Sequence, residues 1–143
     1  MQLRGYEPGS QPGDADYGLE TLASDVPAFL HSLGVEQCHL VGHDWGAAIS
    51  YRAAARYPDR FHSLTTLAVP HEGRFLGEIF KFPGQLKLSW YMLFFQLRGL
   101  ADYALARGDY AFIRMLWRQW SPNWQIPEDE LEQVIDTFRA PGV

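Results

Sequence analysis

A single cysteine, Cys38, stands among the 143 residues. No disulfide can form within the chain, and that composition predicts a reducing, cytoplasmic compartment. Positive charge is scarce: 12 Lys and Arg against 17 Asp and Glu leave a formal net charge of -5. No basic face is evident, which excludes the electrostatic footprint of a nucleic-acid partner. Long apolar runs are missing too. The most apolar window, Trp90 to Leu97, falls far short of the roughly 20 residues a membrane-spanning helix needs. Arg4 and Glu7 interrupt any apolar core at the N-terminus, so no signal peptide is predicted. No repeat or low-complexity tract appears. Neither a metal-ligand cluster nor a Gly-rich phosphate loop is present, so no metal or organic cofactor is implied.

What is there reads as globular: 47% of residues are hydrophobic and 20% charged. Residues 1–16, "MQLRGYEPGSQPGDAD", are rich in Gly and Pro and read as loop. Leu19, Leu22, Val26, Phe29, Leu30 and Leu33 recur at helical spacing. Pro27 is expected to disturb that helix or to restart it, and Gly34 to end it. Cys38 to Val41 is short, apolar and bounded by turn residues, which predicts a buried strand. Trp45 to Tyr57 is alanine-rich and helical until Pro58 stops it. Leu64 to Val69 is a second strand. Helix, strand, helix, strand in that order predicts a parallel sheet with helices on its faces.

After Pro70 no clear strand follows. Residues 88–120 are rich in aromatics, nine of the 21 in the chain, and read as packed helices. Pro127 and the acidic run Glu128-Asp129-Glu130 open a last helix with Leu131, Val134, Ile135 and Phe138 on one face. A division between a sheet part and a helical part is expected near residues 70–75.

Between the first strand and the alanine-rich helix stands Gly42-His43-Asp44-Trp45-Gly46. This fits a nucleophile elbow with Asp in the usual serine position. Such a bend lifts its central side chain above the sheet edge and leaves no room for bulky residues two places either side. Glycine at 42 and 46 is expected to relieve both collisions. The following helix start favours developing negative charge. The pattern also admits a plainer reading, in which Asp44 merely caps the helix.

An aspartate nucleophile would narrow the reaction. It is ionised at neutral pH and needs no base for its attack. Attack on an ester carbonyl would give an anhydride, whereas attack on a saturated electrophilic carbon gives an ordinary ester that water can cleave. Epoxides and alkyl halides are the natural substrates. The second step requires a base and an oxyanion hole. The backbone N–H of Trp45 is placed to supply one donor, and its indole either faces the pocket or packs.

On these residues the chain resembles the epoxide hydrolases of the α/β-hydrolase fold. "LRGYEPGSQP" is similar to the loop after their fourth core strand, and "CHLVGHDWGAAISYRAAARYPDRFHSL" to their elbow strand and helix. "LTTLAVPH" is similar to the next strand, and "SWYMLFFQLRGLAD" to the start of their helical cap. The resemblance implies a partial α/β-hydrolase core over residues 1–72 and a truncated helical cap region over 73–143. It implies that Asp44 is the nucleophile, that Trp45 donates to the oxyanion hole, and that Tyr91 is one of two cap tyrosines hydrogen-bonding the epoxide oxygen. From the residues alone, Tyr91 reads as a core aromatic in an aromatic-rich helix.

The resemblance also places the first strands and a His-Gly oxyanion loop upstream of residue 1. It places the second cap tyrosine, the acid partner and the base histidine downstream of residue 143. His43 reads as structural, and His71 as either a pocket-lining or a surface residue. Glu72 stands several residues beyond the place where related dehalogenases carry an acid. Arg98 replaces a common proline, and Glu7 a small residue. The expectations are a small hydrophobic epoxide or alkyl halide as substrate, self-association through open sheet edges, and a 143-residue chain of low stability with little turnover. A haloalkane dehalogenase and a non-catalytic interaction fragment are the alternatives.

Overall fold

The computed structural model describes residues 1–13, 16–71, 73–74, 77 and 81–140. Its contacts divide into two compact units, Met1–Phe82 and Pro83–Val143, and each is treated by itself.

In the first unit the N-terminal loop carries a short 3-10 turn, Pro8–Ser10, and leads to helix α1, Leu19–Ser32. Strand β1, Cys38–His43, helix α2, Trp45–Arg56, and strand β2, Phe61–Leu67, follow. β1 and β2 pair in parallel, from Cys38 opposite Phe61 to His43 opposite Leu67, as the helix–strand alternation predicts. Strand β2 begins three residues earlier than its apolar stretch suggested.

The end of α1 is set by local chemistry. Gly34 adopts φ 67°, its N–H donates to the His31 carbonyl, and the Val35 N–H donates to Leu30. Two orphan carbonyls are thereby satisfied, which is why a glycine belongs at this position. Pro27, by contrast, neither ends nor restarts the helix, which runs unbroken through it. Proline removes one backbone donor there. Packing compensates: Ala23 and Val26 of α1 meet Ile49 and Ala53 of α2 in the core, flanked by Leu3, Leu19, Leu22, Leu40 and Phe61. Alanines at the contact let the two helices approach closely.

The expectation of a buried β1 is corrected. Its residues alternate, with Leu40 and Gly42 turned inward and His39, Val41 and His43 exposed. On β2, Ser63, Thr65 and Leu67 are exposed on the same face. Helix α2 covers one face of the pair, and among the described residues nothing covers the other. Val41 is 65% exposed for that reason.

The N-terminal loop is tied to α1 by Arg4, whose guanidinium donates to both Asp25 carboxylate oxygens at 2.6 and 2.9 Å. Gly5 next to it adopts φ 85°, and a Cβ there would lie 2.5 Å from the Tyr17 ring.

In the second unit the described helices are α3, Pro83–Leu88, α4, Trp90–Phe94, α5, Leu100–Trp120, and α6, Glu128–Arg139. Rings of Trp90, Phe94, Phe95 and Phe112 pack with centroids 5.3 to 6.4 Å apart. This is the aromatic packing expected of residues 88–120. Helix α5 is two helical pieces joined by a left-handed stretch at Gly108, Asp109 and Tyr110. Asp109 and Tyr110 are strained there, since only glycine adopts positive φ freely. Helix α6 holds them: the Tyr110 hydroxyl donates to the Phe138 carbonyl at 2.9 Å, and Arg139 pairs with Asp109. Leu131 and Ile135 bury the inner face of α6. Arg114 pairs with Glu128 and Glu132.

Candidate active site

The site is built at the junction of β1 and α2. Asp44 occupies that junction with φ 53° and ψ -122°, a conformation a non-glycine residue rarely adopts. Its N–H donates to the Leu67 carbonyl at 3.3 Å, which ties the bend to the end of β2. Its own carbonyl accepts from Ala47 and Ala48 and starts the helix. Its carboxylate makes no capping hydrogen bond to α2, and the residue is exposed. The helix-cap reading therefore fails on geometry: Asp44 stands at the cap position, but the side chain is not used there. A strained backbone that carries an uncommitted carboxylate is the arrangement an elbow requires.

The steric role expected of both glycines falls on one. A Cβ at Gly42 would lie 2.5 Å from Ser50 Oγ and 2.7 Å from the Gly46 carbonyl carbon, with the Gly46 oxygen closer still. A Cβ at Gly46 would meet nothing within 4 Å among the described residues. The asymmetry has a simple origin. Helix α2 passes over β1 at Gly42, where the Gly46 backbone and the Ser50 hydroxyl both come close.

Trp45 is the first residue of α2, so its N–H has no intrahelical acceptor and is directed out of the helix start. Its indole is 55% exposed. His71 lies past the end of β2, also exposed. Its Nδ1 accepts from the Gly73 N–H at 3.2 Å, which places the proton of the neutral ring on Nε2. The ring meets Tyr51 edge-on, with centroids 5.1 Å apart. Glu72 lies outside the described residues.

Two residues of this unit escaped the sequence reading. The Tyr51 hydroxyl shares a 2.7 Å hydrogen bond with Thr66 Oγ1 and lies 3.4 Å from the Val69 carbonyl, pinning the exit of β2 to α2. The phenol of Tyr6, a residue still 58% exposed, is held above its ordinary pKa, first by partial desolvation and then by the Asp44 carboxylate. The N-terminal loop thus brings a phenol within electrostatic reach of the candidate nucleophile. Tyr6 follows Gly5 in the loop motif, but nothing in its spacing from Asp44, 38 positions away, signals that approach.

A model of the α/β-hydrolase fold matches residues 1–111. The chain belongs to the α/β-hydrolase family. This α/β-hydrolase is 32% identical over 148 aligned residues to human epoxide hydrolase 4, an alignment covering 99% of the chain and 41% of the relative. It is 28% identical over 140 residues to epoxide hydrolase 1 of Caenorhabditis elegans, covering 97% and 35%. Among solved structures it is similar to a mutant of a Bacillus megaterium epoxide hydrolase bound to a naphthyloxypropanediol product. The TM-score there is 0.82 at 28% identity, covering 99% of this chain and 50% of that one. The α/β-hydrolase chain therefore spans half or less of the length of these relatives.

In the second unit Tyr91 lies on α4, half-buried, its ring 4.9 Å from that of Trp120 and 6.2 Å from that of Phe95. Among the described residues no group of three His, Cys, Asp or Glu side chains could hold a metal ion, and no described helix is long and apolar enough to cross a membrane.

Proposed function

We propose that this α/β-hydrolase chain carries the nucleophile and part of the cap of an enzyme that hydrolyses epoxides to diols through an aspartyl ester. The observation that carries the reading is the Asp44 carboxylate, exposed, uncapped and mounted on a strained glycine-flanked bend. Similarity to named epoxide hydrolases over 97–99% of the chain supports the choice of electrophile.

In this reading an Asp44 carboxylate oxygen attacks an epoxide carbon. The new C–O bond forms as the ring C–O bond breaks, and the released alkoxide takes the proton of the Tyr91 phenol. The product is a hydroxyalkyl ester. Water then adds to the ester carbonyl, and the Trp45 N–H donates to the resulting oxyanion. On collapse the leaving diol oxygen takes the water proton held by the base, the second water proton returns to the Tyr91 phenolate, and the Asp44 carboxylate is restored. The base that activates the water and the second cap tyrosine are supplied from outside residues 1–143. His71 lines the substrate's approach, with residues 1–72 as core and 73–143 as cap. Trp45, the exposed residue that follows Asp44, favours one second reading: its indole would bind the halide released from an alkyl halide by the same attack. Self-association through the edges of β1 and β2 accompanies the chain when no further strand is present.

Trapping tests the first step in the longest polypeptide the reading frame encodes. Brief exposure to phenyl glycidyl ether, followed by acid quench and peptide mass spectrometry, is expected to add one epoxide mass to the peptide containing Asp44. Asp44→Asn is expected to abolish the adduct. An adduct on any other residue overturns the assignment, and halide release without diol formation would favour the second reading.

A further inference from the structure

We propose that Trp120 is a positioning and specificity residue for epoxide opening, steadying the Tyr91 ring and offering its indole to an aromatic group on the substrate. The inference rests on the reading of Tyr91 as the proton donor to the epoxide oxygen.

Helix α4 has only five residues, too few to hold a side-chain rotamer by helical packing alone. The orientation of the Tyr91 phenol therefore depends on its neighbours. Phe95, four residues on, is a local neighbour at 6.2 Å. Trp120, the last residue of α5, is 29 positions away in sequence, yet its ring lies at 4.9 Å and 59°. That is the shortest ring–ring separation among the described residues. A tilted contact at this distance is favourable and directional, so it restricts the phenol more than an aliphatic neighbour would.

The contact does not consume the indole. Trp120 remains 55% exposed, while Tyr91 is half-buried. A flat, exposed aromatic surface directly beside a phenol that donates to the epoxide oxygen is suited to a planar substituent one or two bonds from the ring-opening carbon. Aryl and aryloxymethyl epoxides carry such a group, and short aliphatic epoxides do not.

The test uses the longest polypeptide of the reading frame, with Trp120→Leu to keep apolar volume and Trp120→Phe to restore the ring. Phenyl glycidyl ether is compared with 1,2-epoxybutane. Trp120→Leu is expected to lower kcat for both epoxides, because the phenol is less well held, and to raise KM about tenfold for the aryl ether alone. Trp120→Phe is expected to recover most of both effects. A merely structural residue would lower the active fraction equally for both substrates and leave KM unchanged.

A binding measurement stands apart from turnover. Calorimetry with 3-phenoxypropane-1,2-diol is expected to show a Kd about tenfold weaker in Trp120→Leu and restored in Trp120→Phe. Equal Kd values and an equal KM ratio in Trp120→Leu and the parent overturn the proposal. Full turnover in Tyr91→Phe overturns instead the reading of Tyr91 on which the positioning role rests. Should the parent open neither epoxide, the functional reading fails, and the diol Kd still decides whether Trp120 binds an aromatic group.

Discussion

Gly42 is the position at which backbone sterics make the sharpest demand. A methyl group there would enter at 2.5 Å from Ser50 Oγ and 2.7 Å from the Gly46 carbonyl carbon. Ordinary contacts of this kind are about 3.5 Å, so about 1 Å of overlap must be relieved. The neighbours cannot yield cheaply. Gly46 belongs to the first turn of α2, and Ser50 is 3% exposed on the same helix. Relief requires α2 to lift from β1, loosening Ala47, Ile49 and Ala53, all essentially buried. Overpacking of a core commonly costs about 1–3 kcal/mol. Since two contacts are to backbone, Gly42→Ala is expected near the upper end, about 3 kcal/mol, a large share of the ~5–15 kcal/mol that holds a domain. Gly46→Ala is the matched control. With nothing beyond its own helix backbone and chain neighbours within 4 Å of its Cβ among the described residues, it is expected to change stability by less than about 1 kcal/mol, on the favourable side, because alanine suits a helix better. Urea denaturation followed by circular dichroism measures both. Gly42→Ala combined with Ser50→Ala should recover only part of the loss, because the Gly46 backbone remains in the way. Equal effects of the two glycine substitutions, or a neutral Gly42→Ala, would refute the reasoning.

The raised Tyr6 phenol gives a titration that reports on the nucleophile. In a difference spectrum against Tyr6→Phe, the alkaline absorbance change should come above the ordinary 10.0, and Asp44→Asn should lower it. A phenol raised on folding favours the native state below its unfolded pKa, so this contribution is intact at neutral pH and is lost as pH climbs through the folded value. No change in the Tyr6 titration on Asp44→Asn would show that the carboxylate lies out of reach. Arg4 should not tolerate lysine: its two bonds to Asp25 need a planar fork, and with both side chains about a quarter exposed, Arg4→Lys is expected to cost about 1 kcal/mol by urea midpoint. Full stability in the lysine variant would mean that only the charge matters.

Local pattern carried much of this protein. Period, capping glycine and stop proline placed α1, α2 and the end of each, because those signals act within a few residues. The parallel pairing followed from helix–strand alternation, and the strained bend at Asp44 falls within the five-residue Gly42–Gly46 pattern. Other features were settled only by chain segments meeting from far apart. Pro27 stays inside α1 because the α2 surface packs against its neighbours, a compensation no local signal encodes. Whether Asp44 caps or stands free is a matter of where its carboxylate is aimed, and the sequence is the same in both cases. The left-handed break at Gly108 to Tyr110 exists because α6 supplies Arg139 and the Phe138 carbonyl. Likewise Tyr6 nears Asp44, and Trp120 nears Tyr91, through folding alone. Periodicity and caps measure what a residue prefers, whereas the direction of a side chain and the company it keeps are set by surfaces that come together only in three dimensions.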